Sequence, residues 1–92
     1  MVFMLIAPVM LEAKTLEKVK EDGKNSFNAG YQLYFKSNFE GAAKEFRKAI
    51  ELNPVSEEYH FFLAKSLHKQ KLSAQAIEEI RYAIGIKPEY EQ

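Results

Sequence analysis

Cysteine and tryptophan are both absent from the 92-residue sequence, and it contains only three prolines and four glycines. Without cysteine the chain can form no disulfide, no thiolate zinc site and no cysteine nucleophile. So few prolines and glycines argue against an all-β domain, which needs many tight turns. The absence of cysteine also leaves the redox compartment undetermined.

An excess of charge of either sign is also missing. Thirteen lysines and arginines balance thirteen aspartates and glutamates. Because binding to phosphates requires a basic surface, we expect no nucleic-acid partner. Hydrophobic residues make up 47% of the sequence and charged residues 28%, which is typical of one folded globular domain and too apolar for a disordered chain.

An apolar run, MVFMLIAPVML, occupies residues 1–11. It is too short for an integral membrane span, since a helix needs about 20 residues to cross a bilayer. Two interpretations stay open. Residues 1–13 are either a signal-peptide remnant, which would make the protein exported or periplasmic, or a structural arm. The basic residues that precede a signal sequence are missing here, so we favour the arm and a cytoplasmic location.

Residues 11–22 are amphipathic. Leu16 and Val19 lie one turn apart among charged side chains, which predicts a helix. Gly23 is a plausible end for it, because glycine tolerates the left-handed conformation found at helix C-termini. The same stripe also continues through Gly23 to Phe27, so one long helix is the alternative.

The rest of the chain repeats itself at an offset of 34 residues without a gap. The identical pairs are Phe27 and Phe61, Leu33 and Leu67, Ala42 and Ala76, Glu45 and Glu79, Arg47 and Arg81, Ala49 and Ala83, Ile50 and Ile84, and Pro54 and Pro88. Most of these positions are apolar or small, so the two halves are predicted to pack in the same way.

Each repeat is predicted to form two helices. In repeat 1 the first helix covers about residues 24–37, and Asn38 is the N-cap of a second helix that ends at Asn53. In repeat 2, Ser56 and Ser73 are the predicted N-caps, and the second helix ends before Pro88.

The predicted core lies where the repeats meet. It consists of Leu33, Ala42, Phe46, Leu63, Leu67 and Ile80. Gly30 and Ala64 are small enough to allow a second helix to approach closely.

The 34-residue pattern of small and large residues resembles the tetratricopeptide repeat (TPR) family. The residues that carry the resemblance are Gly30, Leu33, Tyr34, Phe39, Ala42, Phe46, Ala49 and Pro54 in repeat 1, and Leu63, Ala64, Leu67, Ala76, Ile80, Ala83 and Pro88 in repeat 2. The resemblance implies an all-α fold of two tandem helix–turn–helix repeats in a right-handed α-solenoid. Residues 23–56 and 57–90 would form this two-repeat domain, preceded by a helical arm over residues 1–22.

The resemblance further implies a concave groove, lined by the first helix of each repeat, that binds a peptide or partner helix. The matching side chains are Phe27, Tyr31, Tyr34, Phe35, Phe61, Lys65, His68 and Lys69. The first part of this set is aromatic and the second is basic, so we expect an acidic partner with an apolar anchor. The expected function is protein–protein interaction, as in an adaptor, an assembly factor or a co-chaperone-like module.

No motif predicts catalysis, a metal or a cofactor. His60 and His68 are separated by two helical turns, ~12 Å, which is too far to share a metal ion. We expect both histidines in surface or groove roles, and the paired glutamates at 57–58 and 78–79 in capping and solvation. The sequence has neither a glycine-rich phosphate loop nor a nucleophile elbow, so we expect the protein not to be an enzyme.

The last helix carries more apolar residues than one helix pair can bury. The predicted oligomer contact consists of Ile77, Ile80 and Ile84 together with Leu16 and Val19. A homodimer or larger oligomer is therefore expected. The alternative function is a structural, self-associating subunit whose groove is filled by its own arm or by another copy.

Overall fold

The computed structural model describes the backbone of residues 2–86 and the side chains of residues 15–85, and in that part of the chain it has four α-helices and no strand. The helices are α1 (Val2–Phe35), α2 (Phe39–Leu52), α3 (Glu57–Lys69) and α4 (Ser73–Ile86). Each packs against the next one along the chain. This confirms the prediction of an all-α helical-repeat fold. The predicted stop at Pro88 lies outside the described residues.

Helix α1 runs without interruption through Gly23, so the interpretation as one long helix is confirmed. Gly23 lies beside Leu52, the last residue of α2, and a Cβ atom built on it would be 3.5 Å from the Leu52 Cβ. Most of α1 before Gly23 therefore extends past the end of α2, by ~30 Å at 1.5 Å per residue. The side chains of the apolar run over residues 1–11 are not among those that the structure describes.

The two helical hairpins turn in the same way. Ser37 and Lys71, which are 34 positions apart, both have left-handed backbone conformations, with φ of 64° and 66°. In each turn the next residue donates its N–H to the carbonyl five residues back, at 2.9 Å. This is the Schellman arrangement that commonly closes a helix with glycine. The repeat inferred from the sequence is thus also present in the backbone.

Side chains cap two of the helices as predicted. Asn38 accepts a hydrogen bond from the Gly41 N–H at 3.0 Å, and Ser56 accepts one from the Tyr59 N–H at 3.4 Å. The predicted cap at Ser73 is wrong, because Ser73 is already the first residue of α4. The turn at residue 71 fixes the helix start, which leaves Leu72 at the position that corresponds to Asn38.

The core lies between the two hairpins. It consists of Ala42, Ala43, Phe46, Leu63, Ala64, Leu67 and Ala76. A Cβ atom on Gly30 would lie 2.7 Å from the fully buried ring of Phe46, which confirms that this glycine permits a close approach of α1 and α2. Leu33 is half-buried. The prediction that Ile80 is buried is wrong, since 36% of this residue is exposed and no described helix covers it.

His60 is a structural residue rather than a surface one. Only 4% of it is exposed. Its Nδ1 lies 2.7 Å from Oε2 of Glu79, its Nε2 donates to the Pro54 carbonyl at 2.8 Å, and its ring stacks on Tyr82. The expectations of a surface or groove role for His60 and of a purely solvated Glu79 were therefore wrong. These contacts connect α3, α4 and the loop before α3.

Candidate functional site

The side chain of Phe62, on α3, is the centre of the contact between the repeats. Its ring centroid lies 5.4 Å from that of Phe27, 5.5 Å from Tyr31, 6.3 Å from Tyr34 and 5.8 Å from Phe46. Tilted and edge-to-face pairs at these distances add to the stability gained from burial. Much of the aromatic surface of repeat 1 is therefore used to hold α3.

The repeat comparison did not identify Phe62, because the residue 34 positions earlier is Asn28. The mismatch itself was the available signal. Asn28 is exposed on α1, whereas Phe62 is half-buried against repeat 1. When an aromatic residue takes the place of a polar one at the same repeat position, it indicates that this face of the helix packs against another helix.

On the other side of α3, the described residues leave a crevice uncovered. It is a groove of about 670 Å³ between α3 and α4, with one side chain from α1 at its edge. The lining residues are Tyr34, Phe61, Ala64, Lys65, His68, Lys69, Ser73, Ala76, Ile77 and Ile80. We call this the α3–α4 groove. Its apolar lining includes Ile77, which is 50% exposed, and exposed apolar side chains that cluster in this way usually mark an interaction site.

Five of the eight residues predicted to bind a partner meet in the α3–α4 groove, and three do not. Tyr34, Phe61, Lys65, His68 and Lys69 line it. The other three lie along α1. Phe27 packs on Phe46 and Phe62, while Tyr31 and Phe35 are 42% and 64% exposed, with ring centroids 4.7 Å apart.

The predicted oligomer contact is divided in the same way. Ile77 and Ile80 line the α3–α4 groove, whereas Leu16, Val19 and Ile84 do not. Leu16 is 59% exposed on α1, and Val19 and Ile84 are half-buried. A partner helix and a second copy of the chain would therefore compete for the same isoleucines.

Positive charge borders the α3–α4 groove. The Lys65 Nζ lies 4.9 Å from the ring centroid of Phe62 and 5.3 Å from that of Phe61, and the Lys69 Nζ lies 6.0 Å from that of Phe39. Such cation–π contacts stabilise by about 0.5–1 kcal/mol at exposed sites. Over the residues whose side chains are described, neither lysine forms an ion pair with a carboxylate. Both charges are thus available to an acidic ligand.

Neither a metal site nor a membrane span accompanies this groove in the described residues. No group of three or more histidine, cysteine, aspartate or glutamate side chains there could hold a metal ion. The helices described also include none that is long and apolar enough to cross a membrane.

Comparisons with known proteins establish the fold alone. No family model matches the sequence, and no curated protein matches it. A chain in a solved structure titled "CopN-Scc3 complex" is similar to this one, with a TM-score of 0.71 and 24% sequence identity. The similarity covers 74% of this chain and 40% of that chain, so the protein spans less than half the length of this neighbour. The two chains share a helical-repeat architecture.

Proposed function

We propose that the protein is a TPR-like interaction module that binds a helical segment of a partner protein in the α3–α4 groove and does not act as an enzyme. The observation that carries this proposal is the apolar groove that the described residues leave uncovered, bordered by two lysines that form no ion pair with any described carboxylate. The corresponding surface of repeat 1 is already covered by α3. The neighbour of similar fold comes from a protein complex, which agrees with a binding role.

The two ends of the helical stack support the proposal because they differ in polarity. The residues of α1 that correspond to Tyr59, Phe62 and Ser66 are Asn25, Asn28 and Gln32, and all three are exposed. The face of α1 that these three residues form is thus polar, although Tyr31 and Phe35 are exposed beside it. The end formed by α3 and α4 instead exposes isoleucines, and an apolar surface of this kind usually marks a contact site.

The charge of the α3–α4 groove supports an acidic partner with an apolar anchor. Phe61, Ile77 and Ile80 offer apolar contact, while Lys65 and Lys69 provide positive charge beside it. Complementary charge mainly increases association rate and specificity. The partner we propose is therefore an amphipathic helix with acidic residues beside its apolar face.

Selection of helical peptides against the 92-residue protein tests this function. Selected peptides should lose at least about tenfold in affinity for an Ile77→Glu variant, because a buried charge would face their apolar side. Val55→Glu is the matched control, since Val55 is 70% exposed and lies outside the groove. Equal binding to both variants would place the peptides elsewhere and refute the proposal.

A charge-reversed groove tests the acidic preference separately. We expect the double variant Lys65→Glu, Lys69→Glu to bind acidic peptides more weakly and with less dependence on salt, because the attraction that salt screens has been removed. Titrations at two salt concentrations measure both effects. Equal affinity of the native protein for acidic and basic peptides would contradict this preference and leave the fold unaffected.

Self-association is the second candidate function, and the exposure of Leu16 and Ile77 favours it. A second copy could cover the α3–α4 groove with its arm or its last helix. Sedimentation of the full chain over a concentration series should then show a dimer or larger oligomer that Ile77→Glu dissociates. A monomer at high micromolar concentration would eliminate this candidate.

A further inference from the structure

We propose that the α3–α4 groove accepts its partner helix in the register that α3 itself adopts on repeat 1. An aromatic residue of the partner would take the position of Phe62, and an acidic residue would follow three positions later. This inference rests on the proposed function and specifies the partner's sequence.

The internal repeat supplies the register. The Phe62 ring contacts Phe27, Tyr31, Tyr34 and Phe46 in repeat 1. The residues 34 positions later are Phe61, Lys65, His68 and Ile80, and all four line the α3–α4 groove. The groove therefore reproduces the site of one buried aromatic ring, at a place where the described residues provide no such ring.

The side chains that differ between the two sites select an aromatic anchor. Phe61 repeats Phe27, and Ile80 retains an apolar surface in place of Phe46. Lys65 replaces Tyr31, so a cation borders the site. A neighbouring ammonium group attracts the negative face of a phenyl or phenol ring and so stabilises its binding. An aliphatic side chain has no such face and gains no such stabilisation.

The acidic position follows from Lys65, which lies three residues after Phe62. Its Nζ is 5.9 Å from the ring centroid of Tyr34 in repeat 1. The counterpart of Tyr34 in repeat 2 is His68, which lies within one helical turn of Lys65 and of Lys69 on α3. A partner residue at this position would meet a basic cluster, so a carboxylate is favoured and a lysine is disfavoured.

Helix α3 provides its own probe peptide. Its sequence is EEYHFFLAKSLHK, and the probe is this peptide, acetylated and amidated, with Lys65→Glu. We expect the probe to bind the 92-residue protein at least about tenfold more tightly than the parent peptide with lysine. A second change in the probe, Phe62→Ala, should weaken binding by about tenfold or more, because the anchor is removed.

A charge exchange decides the register. The test variant of the protein is His68→Glu, and His68 is exposed, so the change should not disturb the fold. In this variant the preference between the two peptides should reverse, so that the lysine peptide binds more tightly than the probe. The variant Val55→Glu should keep the native preference, because it changes the net charge by the same kind of substitution outside the groove.

Each outcome of these titrations supports or overturns the inference. The inference is supported if the peptide preference reverses in His68→Glu and stays unchanged in Val55→Glu. Equal binding of the two peptides, the same preference in all three proteins, or no binding of the probe overturns it. If library-selected peptides still lose affinity for Ile77→Glu in that case, the proposed function stands and only the register is wrong. If no peptide binds the groove, or if a second copy of the chain fills it in sedimentation experiments, both proposals fail.

Discussion

Repeat 1 and repeat 2 have the same pair of helices and the same left-handed turn, but among the described residues only repeat 1 is covered by a further helix. Phe46 in repeat 1 is fully buried between Gly30 and the aromatic residues of α1 and α3. Its counterpart in repeat 2, Ile80, is 36% exposed. A repeat position therefore fixes how a side chain faces its own helix pair, whereas the burial of that side chain depends on the next helix.

The largest expected difference between the repeats is in the effect of truncating these two residues. Phe46→Ala should lower the free energy of unfolding by about 3–5 kcal/mol, because it leaves a cavity in the core. Ile80→Ala removes a partly solvated side chain and should lower it by about 1 kcal/mol or less. Urea denaturation measures both. Equal losses of unfolding free energy in the two variants would contradict the difference in burial between the repeats. If Phe46→Ala does not fold, the milder variant Phe46→Leu provides the measurement instead.

The two glycines of α1 that lie beside α2 should respond to alanine in opposite directions. Gly30→Ala would push a methyl group into the buried Phe46 ring, and we expect it to destabilise by about 1–3 kcal/mol. Gly23→Ala has ordinary contact distances to its neighbours, the nearest at 3.5 Å. It should stabilise by about 0.5–1 kcal/mol through helix propensity. Thermal denaturation of both variants checks the signs, and stabilisation by Gly30→Ala would show that the close approach is not required.

The two turns should behave alike, in contrast to the helices they connect. Ser37 and Lys71 have nearly equal positive φ values, a conformation in which a side chain is strained and glycine is not. Ser37→Gly and Lys71→Gly should therefore each stabilise by about 1 kcal/mol or less, since the greater freedom of the unfolded chain offsets part of the gain. Loss of stability in only one of the variants would show that the turns are not equivalent.

The smallest expected effect is a dependence of stability on alkaline pH that comes from α3. Burial raises the pKa of the Tyr59 phenol, and the negative charge of Glu58 raises it further. Because an unfolded tyrosine has a pKa of about 10, the contribution of Tyr59 to stability is present below that pH and is lost as the pH rises through the folded-state pKa. Tyr59→Phe should reduce this alkaline loss in denaturation measured between neutral and alkaline pH, and an unchanged profile would assign the loss to other groups.

The elements that depend on local or repeated patterns were predictable from the sequence. The 34-residue offset located the helices of repeat 1 and repeat 2, and it identified Phe46 as a core residue and Gly30 as a point where a second helix approaches closely. The caps at Asn38 and Ser56 follow from side-chain chemistry within one turn. Five of the residues that line the α3–α4 groove were also named from the sequence, through the resemblance to TPR proteins.

The features that the sequence did not predict depend on contacts between distant parts of the chain. The spacing of apolar residues in α1 allowed either an end at Gly23 or one long helix, and the packing of Gly23 on α2 accounts for the continuation. The burial of His60 results from its contact with Glu79 on α4, which no periodicity reveals. Phe62 was missed because the repeat comparison selects positions that match, and Phe62 has no match: the residue 34 positions earlier is Asn28.

Mapping a selected acidic helical peptide on the protein by amide chemical shifts tests the central claim most directly. The claim is that the α3–α4 groove is the binding surface and that the polar face of α1 is not. We predict that saturable shifts will concentrate at the groove residues Phe61, His68 and Ile77, with little change at Asn25 and Gln32. Saturable shifts that lie along Tyr31 and Phe35, or on the polar face of α1, would contradict the claim.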